Sequence, residues 1–502
     1  LQRSGTLIRD SIQHFIDFRI TNLQESAKKF SQSPQDIAGF VNAVKAEALQ
    51  FALDFIGETF TTCNDILRES PVRRATWEVV RTDEKNLITS IGSVRYEKTL
   101  FKNKKSGERK YLVDEVMGID SHERISEDAV AQMLEESVQT SYRKGGENVS
   151  ILDKISKEAV KDKLHALEFP MADKADPDRG KKVVDYLFIE ADEDHASLQF
   201  NEKKGDLKKS ESGRKLNGII TKLVYVHEGV ERDAPKSTRH HLVNPHYFSG
   251  LYEGTKGNRK LWDEVWNYLD RTYDLSKVKK VYLSADGGGW IMAGKKRLHG
   301  LVYALDEFHM QKYLIKMTNH MLDTADDARK ALCKSIMEDT KEEFRSYVDM
   351  LEWHARTDSE KVRITEGANY ILSNWSAAKV RLTNRRSLCG CSAEGHVSHV
   401  LSRRMSTNPM GWSKTGADKM AHLRAWYWNG GDMLELARYQ KQVLPKAAGD
   451  EDSILSAGQM YRDEVNRNPK WAKYAERMQV EVSPQLKKML SIGMHDFIWM
   501  LR

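Results

Sequence analysis

The stretch KKVYLSADGGGWIMAG, Lys279–Gly294, ends a short apolar run in a single aspartate, Asp286, and follows it at once with three glycines. No Gly-Lys-Ser/Thr comes after the glycines and no G-x-G-x-x-G spacing is present, so the glycines read as a turn and not as a phosphate loop. The question is what a lone carboxylate does at the mouth of a buried strand. It acquires meaning only through partners elsewhere in the chain.

The chain has 502 residues, enough for two or three domains with a sizeable core. Lys plus Arg exceed Asp plus Glu by 79 − 73 = 6, a mild excess that permits a polyanionic partner without demanding one. No run of 18 apolar residues exists, so no membrane span is expected. Four cysteines, Cys63, Cys333, Cys389 and Cys391, argue against a disulfide scaffold and for a reducing cytoplasm.

Outward from Asp286, the pattern on both sides is of strands and helices. VVDYLFIEAD is an apolar strand ending in acids; HASLQF and NGIITKLVYVHEGVE read as two further strands, around the polar loop NEKKGDLKKSESGRK. NRKLWDEVWNYLDRTYDL is an amphipathic helix with Trp262, Trp266, Leu269 and Tyr273 on one face. The opening strand and LVYALDEFHM follow. Three strands, a helix, a strand and a helix-linked strand is the order of a ribonuclease H-like α/β fold with a mixed sheet.

The expected organisation is a helical region over 1–85, a β-hairpin plus helix-turn-helix-like unit over 86–175, the first part of the core over 181–309, a helical insertion over 310–385, the last part of the core over 386–435, and a charged helical region over 436–502. The hairpin is read from two β-type runs flanking Lys-Lys-Ser-Gly in SIGSVRYEKTLFKNKKSGERKYLVDEVMGI. The helices after Ser126 are expected to break at Gly145-Gly146. MADKADPDRGKK, with Pro177 and Gly180, reads as a linker.

In this order of strands Asp192 ends the first strand and Asp286 the fourth, and adjacent parallel strands would set the two carboxylates side by side. Such closeness is unfavourable unless cations neutralise it. Two Mg²⁺ ions, or Mn²⁺, about 3.5–4 Å apart suit this donor chemistry and phosphoryl transfer. A third acid is wanted from a helix after the last strand, and CGCSAEGHVSHVLSRRM supplies Glu394. Each acid has a rival reading. Glu190 and Asp194 share a strand face with Asp192, so spacing does not choose among them. Asp286 is also a plain Asp-Gly turn residue, and Glu394 a first-turn acid. Cys389, Cys391, His396 and His399 form a zinc-type set, but C-x-C is not the usual spacing. Asp306 and His309 end another strand, either supporting the site or satisfied in the core.

IEADEDHASLQ, YLSADGGGWI, LDEFHMQKY and CGCSAEGHVSHVLSRRMSTNPMGWSKTGADKMAHLRAWYWNGGD together resemble the ISLre-type insertion-sequence transposases, a family distantly similar to Mutator-type transposases; the resemblance covers roughly residues 40 to 435. It implies a DDE transposase in a ribonuclease H-like fold, with the triad Asp192, Asp286 and Glu394 as metal ligands and catalytic residues. It also implies double-stranded DNA as partner, both terminal inverted repeats and target, and a homodimer or larger synaptic complex without membrane association. A ribonuclease H-like nuclease that does not join strands, and a non-catalytic DNA-binding protein, are the alternatives.

Candidate DNA contacts are Lys98, Lys104, Lys105 and Arg109 on the hairpin, Arg143 and Lys144 on the helices, and His396, Arg403 and Arg404 on the Glu394 helix. The loop with Lys203, Lys204, Lys208, Lys209, Arg214 and Lys215 is basic in any reading. Trp375 of the insertion is either a base-stacking aromatic or core.

Overall fold

The structure, a computed structural model, describes residues 7–120, 122–170, 180–211, 213, 216–298, 300–385, 387–408, 410–443 and 456–468. Most of the expected linker, Arg214, Lys215 and most of the last 60 residues lie outside them. The chain forms two compact units, one of Leu1–Met133, Arg143–Ser156 and Leu444–Arg502, the other of Leu134–Tyr142 and Lys157–Val443. Among the described residues no helix is long and apolar enough to cross a membrane.

The first unit is built on a 33-residue helix, Ile37–Glu69, whose N-cap Asp36 accepts the Gly39 N–H. Ser70 ends it and caps the next helix, Pro71–Thr76, where the proline occupies the first turn. Three strands follow: β1 (Trp77–Ile88), β2 (Ser93–Asn103) and β3 (Arg109–Tyr111), in the order β1-β2-β3. The expected hairpin corresponds to β2 and β3, but its main pairing is with β1, antiparallel from Trp77 opposite Asn103 to Ile88 opposite Ser93. The run after Tyr111 is helix, Leu112–Met117, and not strand. Leu112 and Val113 are thereby directed into a core with Leu67, Trp77, Phe101, Ala457 and Met460. Gly145 and Gly146 do not break a helix; they lie buried inside Tyr142–Glu147.

The second unit contains a mixed five-stranded sheet. Its strands are β4 (Tyr186–Ser197), β5 (Gly218–His227), β8 (His246–Gly250), β9 (Lys280–Ala285) and β10 (Leu301–Leu305); β6 (Gly229–Arg232) and β7 (His240–Val243) form a small separate ribbon. The order is β10-β9-β4-β5-β8. β4, β5 and β8 are antiparallel, whereas β9 runs parallel to β4 and β10 parallel to β9. HASLQF is not a second strand. β4 continues through it for 12 residues, and the third antiparallel strand is the short HYFSG of β8. The helix Gly254–Thr272 crosses from β8 to β9 and buries Leu261, Trp262, Val265 and Leu269 against Leu187, Ile189, Leu283 and Ala285. Trp262 also donates to the Trp290 carbonyl at 3.0 Å, satisfying its one buried N–H.

Beyond β10 the chain is helical: Glu307–Thr318, Ala325–Glu338, Lys341–His354, Asp358–Ser373 and Trp375–Thr383. Two of these helices open with capping boxes, Thr340 with Glu343 and Thr357 with Glu360. Their inward faces, including Leu314, Phe344, Ile364 and Ile371, join the same core as β4 and β9.

Candidate active site

β4 carries Glu190, Asp192 and Asp194 on one face, and each carboxylate has different neighbours. Glu190 is 2% exposed. Its Oε2 accepts the Ser392 N–H at 2.8 Å, the Tyr225 hydroxyl and the Cys391 thiol at 3.4 Å, while His227 Nε2 lies 3.3 Å from Oε1. Burial pushes this carboxyl upward. The His227 ring, the Tyr225 hydroxyl and the Ser392 N–H together outweigh burial and hold it below the ordinary range. Asp194 Oδ1 accepts the hydroxyls of Ser402 and Ser406, each at 2.9 Å. These two acids therefore grip the segment around Glu394 at both ends, Ser392 before it and Ser402 and Ser406 after it.

Asp192, between them, accepts the N–H of its own neighbour Glu193 at 2.8 Å. Ala191 pairs with Ala285 across the parallel β4–β9 ladder, so the next residue on each strand is a carboxylate, Asp192 and Asp286. Burial pushes Asp192 up to about 6; the Glu193 N–H opposes this, Asp286 and Glu394 add to it, and His309 opposes it. Asp192 thus lies within electrostatic reach of both other candidate acids.

Asp286 turns the chain. Its Oδ1 accepts the Gly288 N–H at 2.9 Å, and its carbonyl accepts the Tyr370 hydroxyl at 2.8 Å. Gly287 has φ +100°, and a Cβ there would stand 2.6 Å from Asn374 Oδ1, so both conformation and space require glycine. Asp306 caps the helix Glu307–Thr318 and receives His309 Nδ1 at 2.7 Å. The hydrogen bond to Asp306 raises His309 despite partial burial, and the charges of Asp306, Asp286 and Asp192 add to that.

Glu394 lies exposed in the first turn of Ala393–Val397. That helix continues through a widened π turn, Ser398–Ser402, into Arg403–Met405. Such a turn frees carbonyls, and buried Arg424 donates to those of His399 and Val400 and, at 3.1 Å, of Val138. Among the described residues no group of three or more His, Cys, Asp or Glu side chains is gathered tightly enough to hold a metal ion.

The other candidates divide clearly. Lys104, Lys105, Arg109, Arg143, Lys144 and Arg403 are exposed. Lys98 is not available to a partner: it is buried, with Nζ 2.5 Å from Asp114 Oδ2 and over the Tyr111 ring. Arg404 is 3% exposed, donates to the Ser137 carbonyl at 3.0 Å and lies over the Trp412 ring. His396 is half-buried, with Nδ1 2.9 Å from the Tyr247 hydroxyl. Trp375 packs edge-on against Phe344 at 5.3 Å, inside the helical core, because its side chain follows the buried face of Ala378 and Leu382. Of the insertion's two tryptophans, the exposed one is Trp353, at 81%. Cys389 packs beside Phe188, Tyr282 and Ala304, and His399 is exposed, so the zinc-type set is dispersed.

Arg381 was not anticipated. It is 1% exposed and donates to the Leu305 carbonyl at 2.8 Å, the Cys389 carbonyl at 3.1 Å and Ser284 Oγ at 2.7 Å. It thereby joins β9, β10 and the loop leading to Glu394. The sequence signal is a cation at a core-facing helical position among Ala377, Ala378 and Leu382.

The chain belongs to the uncharacterised protein family UPF0236, whose profile matches residues 36–442. A UPF0236 protein of Caldanaerobacter subterraneus subsp. tengcongensis is 35% identical over 380 residues, covering 76% of this chain and 75% of the relative. Another from the same organism is 34% identical, with 76% of each chain covered. Among solved structures, the Drosophila P element transposase strand transfer complex aligns over 76% of this chain and 90% of that one, with 11% identity and a TM-score of 0.21, too slight a likeness to argue from.

Proposed function

We propose that the protein is a DDE transposase of the ISLre type, with a ribonuclease H-like core. The observation that carries this reading is the pairing of Asp192 and Asp286 at the ends of the central parallel strands, with the Glu394 segment tied to β4 by the acids on either side of Asp192. The sheet order, three antiparallel strands followed by two parallel ones added at the β4 edge, is that of a ribonuclease H-like core. A further support is the name of the first relative, which joins eleven locus labels from one genome, the multiplicity expected of DNA that copies itself.

The donor set fits Mg²⁺ or Mn²⁺. All three side chains offer hard oxygens, and Asp192 is held in an environment of uncompensated negative charge. Asp192 and Asp286 would hold the ions, and Glu394 would complete the set as the carboxylates draw together. A bound pair of ions supplies an activated water or 3′-hydroxyl and stabilises the leaving oxygen. The chain's own contribution is positional. Glu190, Asp194, Arg381 and Arg424 fix the elements that carry the acids. His309, held by Asp306, faces the acids and contributes positive charge to the substrate phosphate. Exposed Lys104, Lys105, Arg109, Arg143, Lys144 and Arg403 contact duplex DNA through phosphate, and a dimer brings two ends together.

The test is cleavage and joining of a labelled duplex carrying the DNA ends that flank the gene, with Mg²⁺ or Mn²⁺. Wild type should nick and transfer strands, and Asp192→Asn and Asp286→Asn should bind the same DNA without cutting it. Full cleavage by either variant would sink the assignment; cleavage without joining would leave a nuclease.

A further inference from the structure

Two helices lead away from Asp286, and their far ends form a cationic cleft that the reading above does not use. On Glu307–Thr318, residues His309, Tyr313 and Lys316 share a face; on Asp358–Ser373, Tyr370, Gly367 and Arg363 do. The faces meet: Tyr313 stacks on Tyr370 at 4.0 Å, and a Cβ on Gly367 would stand 2.4 Å from Met317. At the near end, Tyr370 donates to the Asp286 carbonyl and His309 is within reach of the acids' charge. At the far end a cleft of about 260 Å³ is lined by Lys316, His320, Leu322, Arg356, Glu360 and Arg363.

The cleft holds three permanent cations against one carboxylate. Glu360 is occupied, accepting the backbone N–H groups of Arg356 at 2.7 Å and Thr357 at 3.0 Å. Among the described residues Lys316, Arg356 and Arg363 form no ion pair; Arg363 donates to Ser359, and Lys316 lies over the Tyr313 ring. On the rim, Leu322 is 74% exposed with φ +50°, a backbone conformation that leucine adopts only at some strain. The seven residues from His309 to Lys316, and from Tyr370 back to Arg363, each span roughly 10 Å of helix.

We propose that this cleft is a phosphate subsite for the DNA strand cut at the carboxylates, holding a backbone phosphate about three nucleotides from the scissile one, since successive phosphates advance about 3.4 Å per strand. Lys316, Arg356 and Arg363 bind the phosphate, and Leu322 contacts the adjoining sugar. The inference rests on the transposase reading. Its test uses the full-length protein and an end duplex carrying one neutral methylphosphonate, moved one position at a time on either side of the cleavage site. For wild type, substitution two to four nucleotides away should weaken binding about tenfold, and the triple variant Lys316→Gln, Arg356→Gln, Arg363→Gln should lose sensitivity at that position alone. The slope of log affinity against log salt should shrink by about 2–3 in the variant. Melting curves equal to wild type verify its fold, and the methylphosphonate series on wild type stands without any variant. Cleavage and binding that ignore both changes would overturn the subsite and leave the transposase reading intact; failure of wild type to bind any DNA would overturn both.

Discussion

The carboxylate of Glu190 receives the backbone N–H of Ser392 at 2.8 Å, so a buried acid on β4 fixes the chain two residues ahead of Glu394. The same oxygen takes the Tyr225 hydroxyl, and the other faces His227. One charged group thus sets the distance between the strand that carries Asp192 and the helix that carries Glu394.

Removing that group should damage both fold and chemistry. Glu190→Ala leaves a buried N–H, a phenol and an imidazole without their acceptor, and should lower unfolding free energy by about 3 kcal/mol. Glu190→Gln keeps the shape and should lose less stability, yet strand cleavage should fall roughly 10–100-fold, as for a partner that orients a ligand from behind. Denaturant melts and cleavage rates on the two variants check this. A Glu190→Gln protein with wild-type cleavage would show that the link to Ser392 does not position Glu394.

Glu190, Asp192 and Asp194 also show how far the sequence could be read. Their alternation put all three on one face, and the apolar run before them marked the strand. What distinguishes them lies some 200 residues away, in Ser392, Ser402 and Ser406, and no local spacing encodes such a partner. The acids at strand ends were legible because a strand that turns polar at its mouth is a local pattern. β1 was not, because only Trp77 and Leu87 are buried along its 12 residues, which leaves little hydrophobic alternation to detect. β8 was missed for its five-residue length. Lys98 and Arg404 looked like surface cations because composition cannot reveal a waiting Asp114 or a Trp412 ring.

Asp192 should make the metal-free protein sensitive to pH. Its carboxyl is raised in the fold from 3.8 to about 6, first by burial and further by Asp286 and Glu394. The folded state therefore holds the proton more tightly than the unfolded chain does. The associated stability is full below about pH 4 and is lost as pH rises through 6, a change of about 1–2 kcal/mol. In chelator, wild type should lose melting temperature between pH 4.5 and 7 relative to Asp192→Asn, which has no such proton to release. Parallel melting curves for the two proteins across that range would show that Asp192 is not perturbed.

The basic residues of the first unit should separate into two classes. Lys98→Met leaves Asp114 buried with only Lys85, at 3.7 Å, and should destabilise the protein by about 3 kcal/mol. Charge reversal of exposed Lys104, Lys105 and Arg109 should leave melting unchanged, weaken DNA binding and flatten its salt dependence. Binding measured at several salt concentrations, alongside melting curves, tests both halves. Unchanged affinity in the triple reversal would remove this sheet edge from the DNA interface.

Glu394 is the decisive position, because it is exposed and its removal should not disturb the fold. Glu394→Gln keeps the side chain's shape while removing one negative charge from beside Asp192. Asp192 should then be raised less, since Glu394 is one of the charges acting on it, and the chelated variant should be at least as stable as wild type at neutral pH. DNA binding should persist. Cleavage should fall by more than about 10²-fold, beyond the 10–100-fold loss usual for a residue that only orients a ligand. Cys389→Ser and His396→Ala supply the contrast: Cys389 packs beside Phe188 and Tyr282, and His396 meets the Tyr247 hydroxyl, so their loss should alter stability modestly and leave bound metal unchanged. Elemental analysis of protein purified without chelator, with cleavage assays on all three variants, makes the comparison. Stoichiometric zinc that disappears in Cys389→Ser, together with full cleavage by Glu394→Gln, would transfer the segment's role from catalysis to metal-stabilised folding.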